Sequence, residues 1–145
     1  MTSKITILIL IAILIALWIL LNPRDEFGFS FFGLTTYNAV PIPYFDLKIY
    51  PDGVVKLREG KNHFISLNET TDIFNISLSL LEKTNSSIDA LIIASGYDDL
   101  VSVDEAILNN SFFPVYVMPT PNALKKFNEM KKQGKKVAAI VHSTC

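Results

Sequence analysis

Seventeen consecutive residues, Ile5 to Leu21, read ITILILIAILIALWILL and carry no charge and a single hydroxyl, that of Thr6. At about 1.5 Å per helical residue the run covers roughly 25 Å, slightly less than the ~30 Å hydrocarbon core of a bilayer. Lys4 precedes it and Arg24 follows it. Long cationic side chains at helix ends reach back to the headgroups and make up the missing length. A lone α-helix satisfies its own backbone in lipid, so the segment spans without help. Trp18 stands near the downstream edge, where amphipathic rings favour the interface. A secretory signal core is shorter, about 7–15 residues, and ends at a small-x-small cleavage site. Here Asn22-Pro23-Arg24-Asp25-Glu26 follows instead. A core helix is amphipathic, whereas this run is apolar all round. The sequence predicts an uncleaved, single-pass anchor that contacts the lipid bilayer through residues 5–21, closed by Pro23, which lacks an N–H.

Beyond the anchor about 120 residues remain, enough for one domain with its own core. Thirteen basic and 14 acidic side chains give no global field that would recruit nucleic acid. Cys145 is the only cysteine, which excludes an intramolecular disulfide and a thiolate cluster. Lys4 and Arg24 leave the orientation almost balanced. Four N-x-S/T sequons, at Asn68, Asn75, Asn85 and Asn109, exceed what 10 asparagines would give by chance and favour an extracytoplasmic domain.

Three regions are expected: the anchor (1–22), a connector (23–44) and an α/β domain (45–145). The connector holds Phe27, Phe29, Phe31, Phe32, Tyr37 and Tyr44 among glycines and prolines. Its rings suit one edge of a core or an interfacial segment on headgroups. FDLKIYP, the turn Pro51-Asp52-Gly53 and VVKLRE predict a β-hairpin. A short strand over His63 to Leu67 follows Gly60. Ile73, Ile76, Leu80 and Leu81 share one face of a helix over 71–83, with Thr70 to Asp72 as cap candidates. IDALIIAS (88–95) reads as a strand buried on both faces. Ser102 to Glu105 matches a capping box for a short helix. PVYVMP (114–119) is a further buried strand. Thr120 caps the next helix, Pro121 sits at its first position, and Leu124, Phe127 and Met130 form its core stripe. Gly134 ends it, and KVAAIVHS (136–143) is the last strand. Strands alternating with helices predict a three-layer α/β domain around a mixed, largely parallel sheet, with the hairpin antiparallel at one side.

A set of segments in this domain carries a resemblance. It comprises Ile92-Ile93-Ala94-Ser95-Gly96, Val115 to Thr120, Ala123 with Phe127-Asn128, Gly134 to Ala139, and His142-Ser143-Thr144-Cys145, with Tyr50-Pro51-Asp52-Gly53 upstream. Together they resemble the Mth-type domain over roughly residues 45–145. That family includes the adipogenesis-associated Mth domain-containing protein and is more distantly related to a mitochondrial complex I assembly factor family. The resemblance implies a three-layer α/β domain without an established catalytic activity or an agreed active site. This chain departs from the family's soluble members in carrying an anchor, and from a frequent Gly-x-Gly in having Ala94-Ser95-Gly96.

Ligands of open α/β sheets bind beyond the carboxyl ends of parallel strands. That rule singles out Ser95, Gly96, Thr120 and His142 as candidate ligand-binding residues, with backbone N–H groups available to an anion. The plain alternative is that Gly96 makes a turn and Thr120 caps a helix. No G-x-G-x-x-G is present. His142 and Cys145 suggest a thiol–imidazole pair, but in a continuing strand a spacing of three puts them on opposite faces. A terminal carboxylate next to the thiol would also oppose its activation. Even with His63 added they are few for a metal centre, so no metal, cofactor or catalytic residue is expected. Asp98, Asp99, Asp104 and Glu105 are read as capping and solvated groups. Lys125, Lys126, Lys131, Lys132, Lys135 and Lys136 are read as a solvated face complementing a helix C-terminus. The expected function is a non-catalytic domain working through a membrane-associated protein partner. The competing expectation is a small-ligand or anion-binding domain, even an enzyme, at the strand ends.

Overall fold

The computed structural model describes residues 2–59, 63–110 and 112–145. Gly60, expected to precede a strand, and Ser111 of the fourth sequon lie outside them. The apolar run forms α1 (Thr2–Leu21), and no residue of Lys4–Leu21 is buried. By length and composition α1 is able to cross a membrane, a criterion that a signal sequence also meets. It ends at Leu21, two residues before Pro23, as the constraint on pre-proline residues demands.

The segment between the helix and residue 45 is built into the domain, where a connector was expected. β1 (Leu34–Tyr37) and β2 (Val40–Pro43) pair antiparallel around Asn38 and Ala39, whose φ values of 53° and 61° make the tight two-residue turn of a hairpin. Phe27 and Tyr37 are 3% and 1% exposed and pack their rings on Phe127, with centroids 5.0 and 6.1 Å away. The physical reason is area: two aromatic rings removed from water outweigh the ordering of a short hairpin. Phe29, Phe31, Phe32 and Tyr44 remain exposed.

β3 (Leu47–Ile49) and β4 (Val55–Leu57) form the expected hairpin. Its turn is closed by Gly53 N–H donating to the Tyr50 carbonyl at 2.9 Å, with Gly53 at φ +86° where a side chain would be strained. Then follow β5 (Phe64–Ile65), α2 (Leu67–Thr84), β6 (Ala90–Ala94), β7 (Ser102–Val103), α3 (Glu105–Leu108), β8 (Val115–Met118), α4 (Thr120–Lys132) and β9 (Val137–Val141). The five-stranded sheet runs β4-β3-β9-β6-β8, with β9, β6 and β8 mutually parallel and β3 antiparallel to both neighbours. The sheet is mixed and covered on both faces. Ala90, Ile92 and Ala94 with Val137, Ala139 and Val141 pack toward Leu124, Phe127 and Met130 of α4. Leu91 and Ile93 with Ala138 and Ile140 pack toward Ile73 of α2 and Ile107 of α3. Alternate residues of one strand thus serve two cores, which is why β6 and β9 read as unbroken apolar runs.

Four local expectations shift. α2 begins at Leu67, four residues before the expected start, because Ser66-Leu67-Asn68-Glu69 is itself a capping-box pattern, with Ser66 N–H donating to the Glu69 carboxylate at 3.5 Å. Ser102 belongs to β7, paired with β5, and Asp104 caps α3 by accepting from Ala106 N–H at 3.0 Å. β8 is an edge strand, so Val115, Tyr116 and Met118 are only partly buried and Val117 is exposed. Thr120 is the first residue of α4, and its hydroxyl turns inward to another strand end.

Candidate functional site

The carboxyl ends of β6, β8 and β9 lie side by side, so Ser95, Gly96, Thr120 and His142 come together as the topology rule requires. They meet one another, with little space between them. Thr120 N–H donates to the Gly96 carbonyl at 3.0 Å, and Thr120 Oγ1 donates to the His142 carbonyl at 2.8 Å. The Ser95 hydroxyl donates to the Asp99 carboxylate. Ser95 and Thr120 are fully buried, and His142 is 2% exposed.

Residues 142–145 fold back over this end of the sheet. Tyr97 N–H donates to the Thr144 carbonyl at 2.8 Å. A Cβ on Gly96 would stand 1.5 Å from the Cys145 carbonyl oxygen. Gly96 therefore permits a backbone-on-backbone contact, at φ +97°. Beside it the Tyr97 phenol is raised above its ordinary pKa by burial. Residues 142–145 thus cover Gly96, while a cavity of about 470 Å³ lies alongside, lined by Phe27, Tyr97, Pro121 and Lys125.

Behind His142 lies a charged group that sequence reasoning missed. In the register Leu57–Leu47–Val141 across β4, β3 and β9, the next residues are Arg58, Asp46 and His142. Asp46 Oδ2 accepts from Arg58 Nη1 at 3.1 Å and from His142 Nδ1 at 2.7 Å, and Oδ1 accepts from Ser143 N–H at 3.1 Å. Arg58 Nε donates to Glu69 Oε2 at 2.6 Å, and Nη2 donates to the Phe64 carbonyl at 2.9 Å. The side chains of Arg58, Asp46 and His142 are 1, 3 and 2% exposed. Taking such charges out of water is costly, and the hydrogen bonds to Asp46 and Arg58 offset that cost. The hairpin predicted from 45–58 could have exposed the Asp46–Arg58 pairing, since both flank its strands. Nothing in the sequence points to the β3–β9 pairing.

His142 and Cys145 are not separated to opposite faces, because β9 ends at Val141 and the alternation ends with it. Cys145 Sγ lies 3.8 Å from His142 Nε2 and 3.0 Å from His63 Nε2. The two imidazoles meet edge to face, with centroids 5.4 Å apart. Of the acidic loop, Asp99 and Asp104 make the internal contacts given above. Of the basic set, Lys132 pairs with Glu26 at 3.5 Å, and Lys126 stands over the Tyr116 ring with its Nζ 5.2 Å from the centroid.

A mixed five-stranded sheet between two helical layers, closed at its strand ends by its own last residues, defines a small α/β domain. Residues 28–142 match the family described as "Protein of unknown function (DUF498/DUF598)". The chain belongs to that family. Among solved structures it is similar to MT938, at 27% identity and a TM-score of 0.65, over 83% of this chain and 98% of that one. It is similar to the conserved hypothetical protein PH1505 from Pyrococcus horikoshii OT3, at 22% identity and a TM-score of 0.61, over 83% and 99%. It also shares its fold with a Bordetella pertussis protein described as a Mth938-like domain, at 14% identity and a TM-score of 0.51, over 81% and 85%. No curated protein matches the chain. The Mth-type resemblance seen in the sequence is thus supported by the family and by the fold.

Proposed function

We propose that this chain is a single-pass, membrane-anchored, non-catalytic domain that acts through protein–protein contacts, in the assembly of a membrane complex. The observation that carries this reading is how α1 joins the domain. No residue of the apolar run is buried on the domain, yet its last turn is clasped to it. Trp18 Nε1 donates to the Ala39 carbonyl at 2.9 Å, Asn22 Nδ2 donates to the Trp18 carbonyl at 2.8 Å, and Asn22 Oδ1 accepts from Phe29 N–H at 2.9 Å. A fully apolar helix left in water is disfavoured in proportion to its area, and a bilayer relieves that cost. The clasp would hold the β1–β2 hairpin and the exposed rings of Phe29, Phe31 and Phe32 beside the membrane surface, where a membrane-associated partner would dock.

The closed strand ends favour this reading over ligand or anion binding there. The exposed asparagines of all four sequons suit an extracytoplasmic domain. The test is retention in carbonate-washed membranes. The wild-type chain stays in the pellet, and Leu10→Arg/Leu14→Arg, which adds about 2.5–3.5 kcal/mol per charge at the bilayer centre, releases it. A wild-type chain found in the supernatant would overturn the anchor.

A further inference from the structure

We propose that His63, His142 and Cys145 form an open binding site for a borderline-soft divalent cation of the Zn²⁺ class. Their ligand atoms all lie within 4.8 Å of one another. A tetrahedral zinc with its usual bond lengths places sulfur about 3.6 Å from each nitrogen. The sulfur–nitrogen distances of 3.0 and 3.8 Å bracket that value, and the two imidazole nitrogens, which lie within 4.8 Å, close toward the roughly 3.3 Å of a tetrahedral site by rotation of the exposed His63 ring. Thiolate and imidazole are the donors that zinc prefers, and three protein ligands leave a fourth position for water.

The second, independent observation is Asp46. Metal-bound histidines nearly always donate their other ring nitrogen to a carboxylate or carbonyl, which fixes the tautomer and aims the free lone pair. His142 does this: Nδ1 faces the buried Asp46 carboxylate at 2.7 Å, so Nε2 presents its lone pair toward Cys145. Asp46 is fixed in turn by Arg58 and the Ser143 N–H. His142 is buried, Cys145 is half-buried and His63 is exposed, so the site has a rigid inner side and a face open to solvent. The Thr144 hydroxyl, 3.2 Å from His142 Nε2, is the group a cation would displace. Three protein ligands are too few for a closed structural zinc site and fit only an open one, whose fourth position is water. The end of β9 at Val141 brings His142 and Cys145 to one side, where His63 meets them.

The probe is Co²⁺ added to the reduced full chain in detergent, followed by Zn²⁺ competition. The expected result is a thiolate-to-cobalt charge-transfer band that saturates at one equivalent and is abolished by Zn²⁺. Cys145→Ser loses the band, and His63→Gln, an exposed position, weakens binding at least tenfold without changing the melting curve. Asp46→Asn weakens binding about 10–100-fold, as loss of such a supporting carboxylate does. If Asp46→Asn fails to fold, Cys145→Ser and His63→Gln still decide the matter. A wild-type chain with no charge-transfer band, or one that binds as tightly in both of those variants, overturns the site and leaves a hydrogen-bonded trio.

Discussion

Asp46 and His142, 96 residues apart, share a 2.7 Å hydrogen bond at the point where an antiparallel strand meets a parallel one. The carboxylate that receives it also holds Arg58, so one buried group ties the hairpin, the last strand and, through Glu69, the first turn of α2. Asp46→Ala removes the carboxylate from the His142 imidazole and from Arg58, which keeps Glu69 and the Phe64 carbonyl. Removing one member of a buried ion pair costs about 3–5 kcal/mol. Denaturant unfolding should show that loss, and an effect below about 1 kcal/mol would mean water substitutes for the carboxylate.

Gly96→Ala introduces a Cβ at 1.5 Å from the Cys145 carbonyl oxygen, in a backbone conformation with φ +97°. Backbone strain and overpacking each cost about 1–3 kcal/mol, so the 142–145 segment is expected to lift off. Cys145 alkylation then accelerates relative to wild type. Gly134→Ala is the control, since nothing lies within 4 Å of its Cβ position, although its φ of +75° still carries strain.

Asn22 is 1% exposed and serves α1 and the domain at once. Asn22→Leu leaves Phe29 N–H without its acceptor, a loss of about 1–3 kcal/mol. Hydrogen exchange at Phe29 should speed up while exchange in β6 stays slow. Equal acceleration everywhere would show that the clasp stabilises the domain as a whole.

Tyr37 is raised from 10.0 to about 12, by burial first and then by the Asp25 charge. Tyr50 is raised from 10.0 to about 12 by burial, by its hydrogen bond to Asp72 and by the charges of Asp72 and Asp52. A phenol whose pKa is higher folded than unfolded stabilises the fold fully below pH 10, and that contribution disappears as pH rises toward 12. Absorbance titration should show the phenols of Tyr37, Tyr50 and Tyr97 ionising late, and Tyr50→Phe should remove one of them. Stability should fall between those two pH values.

Much of the architecture is legible in the sequence because periodicity reports burial directly. IDALIIAS and KVAAIVHS are apolar on both faces because each face meets its own core, and Leu124, Phe127 and Met130 mark the α4 stripe. The convergence of Ser95, Gly96, Thr120 and His142 also follows from strand order alone. What stays hidden depends on pairing between distant strands. Asp46 and Arg58 look like ordinary hairpin flanks until β3 lies beside β9. His63 has no local reason to approach Cys145. The rings of residues 23–44 suit one edge of a core, but which of them enter it is not legible, and the packing of Phe27 and Tyr37 on Phe127 shows it.

We propose that this domain works beside a membrane by contact with a protein held there. The most direct measurement places a photo-crosslinking amino acid at Phe32, 53% exposed, in the full chain in its native membranes. A discrete adduct with a membrane-associated protein is expected, recovered in the carbonate-resistant fraction. The same probe at exposed Leu100 should give no such adduct. A chain that fractionates with soluble protein and yields no specific adduct from Phe32 would contradict it.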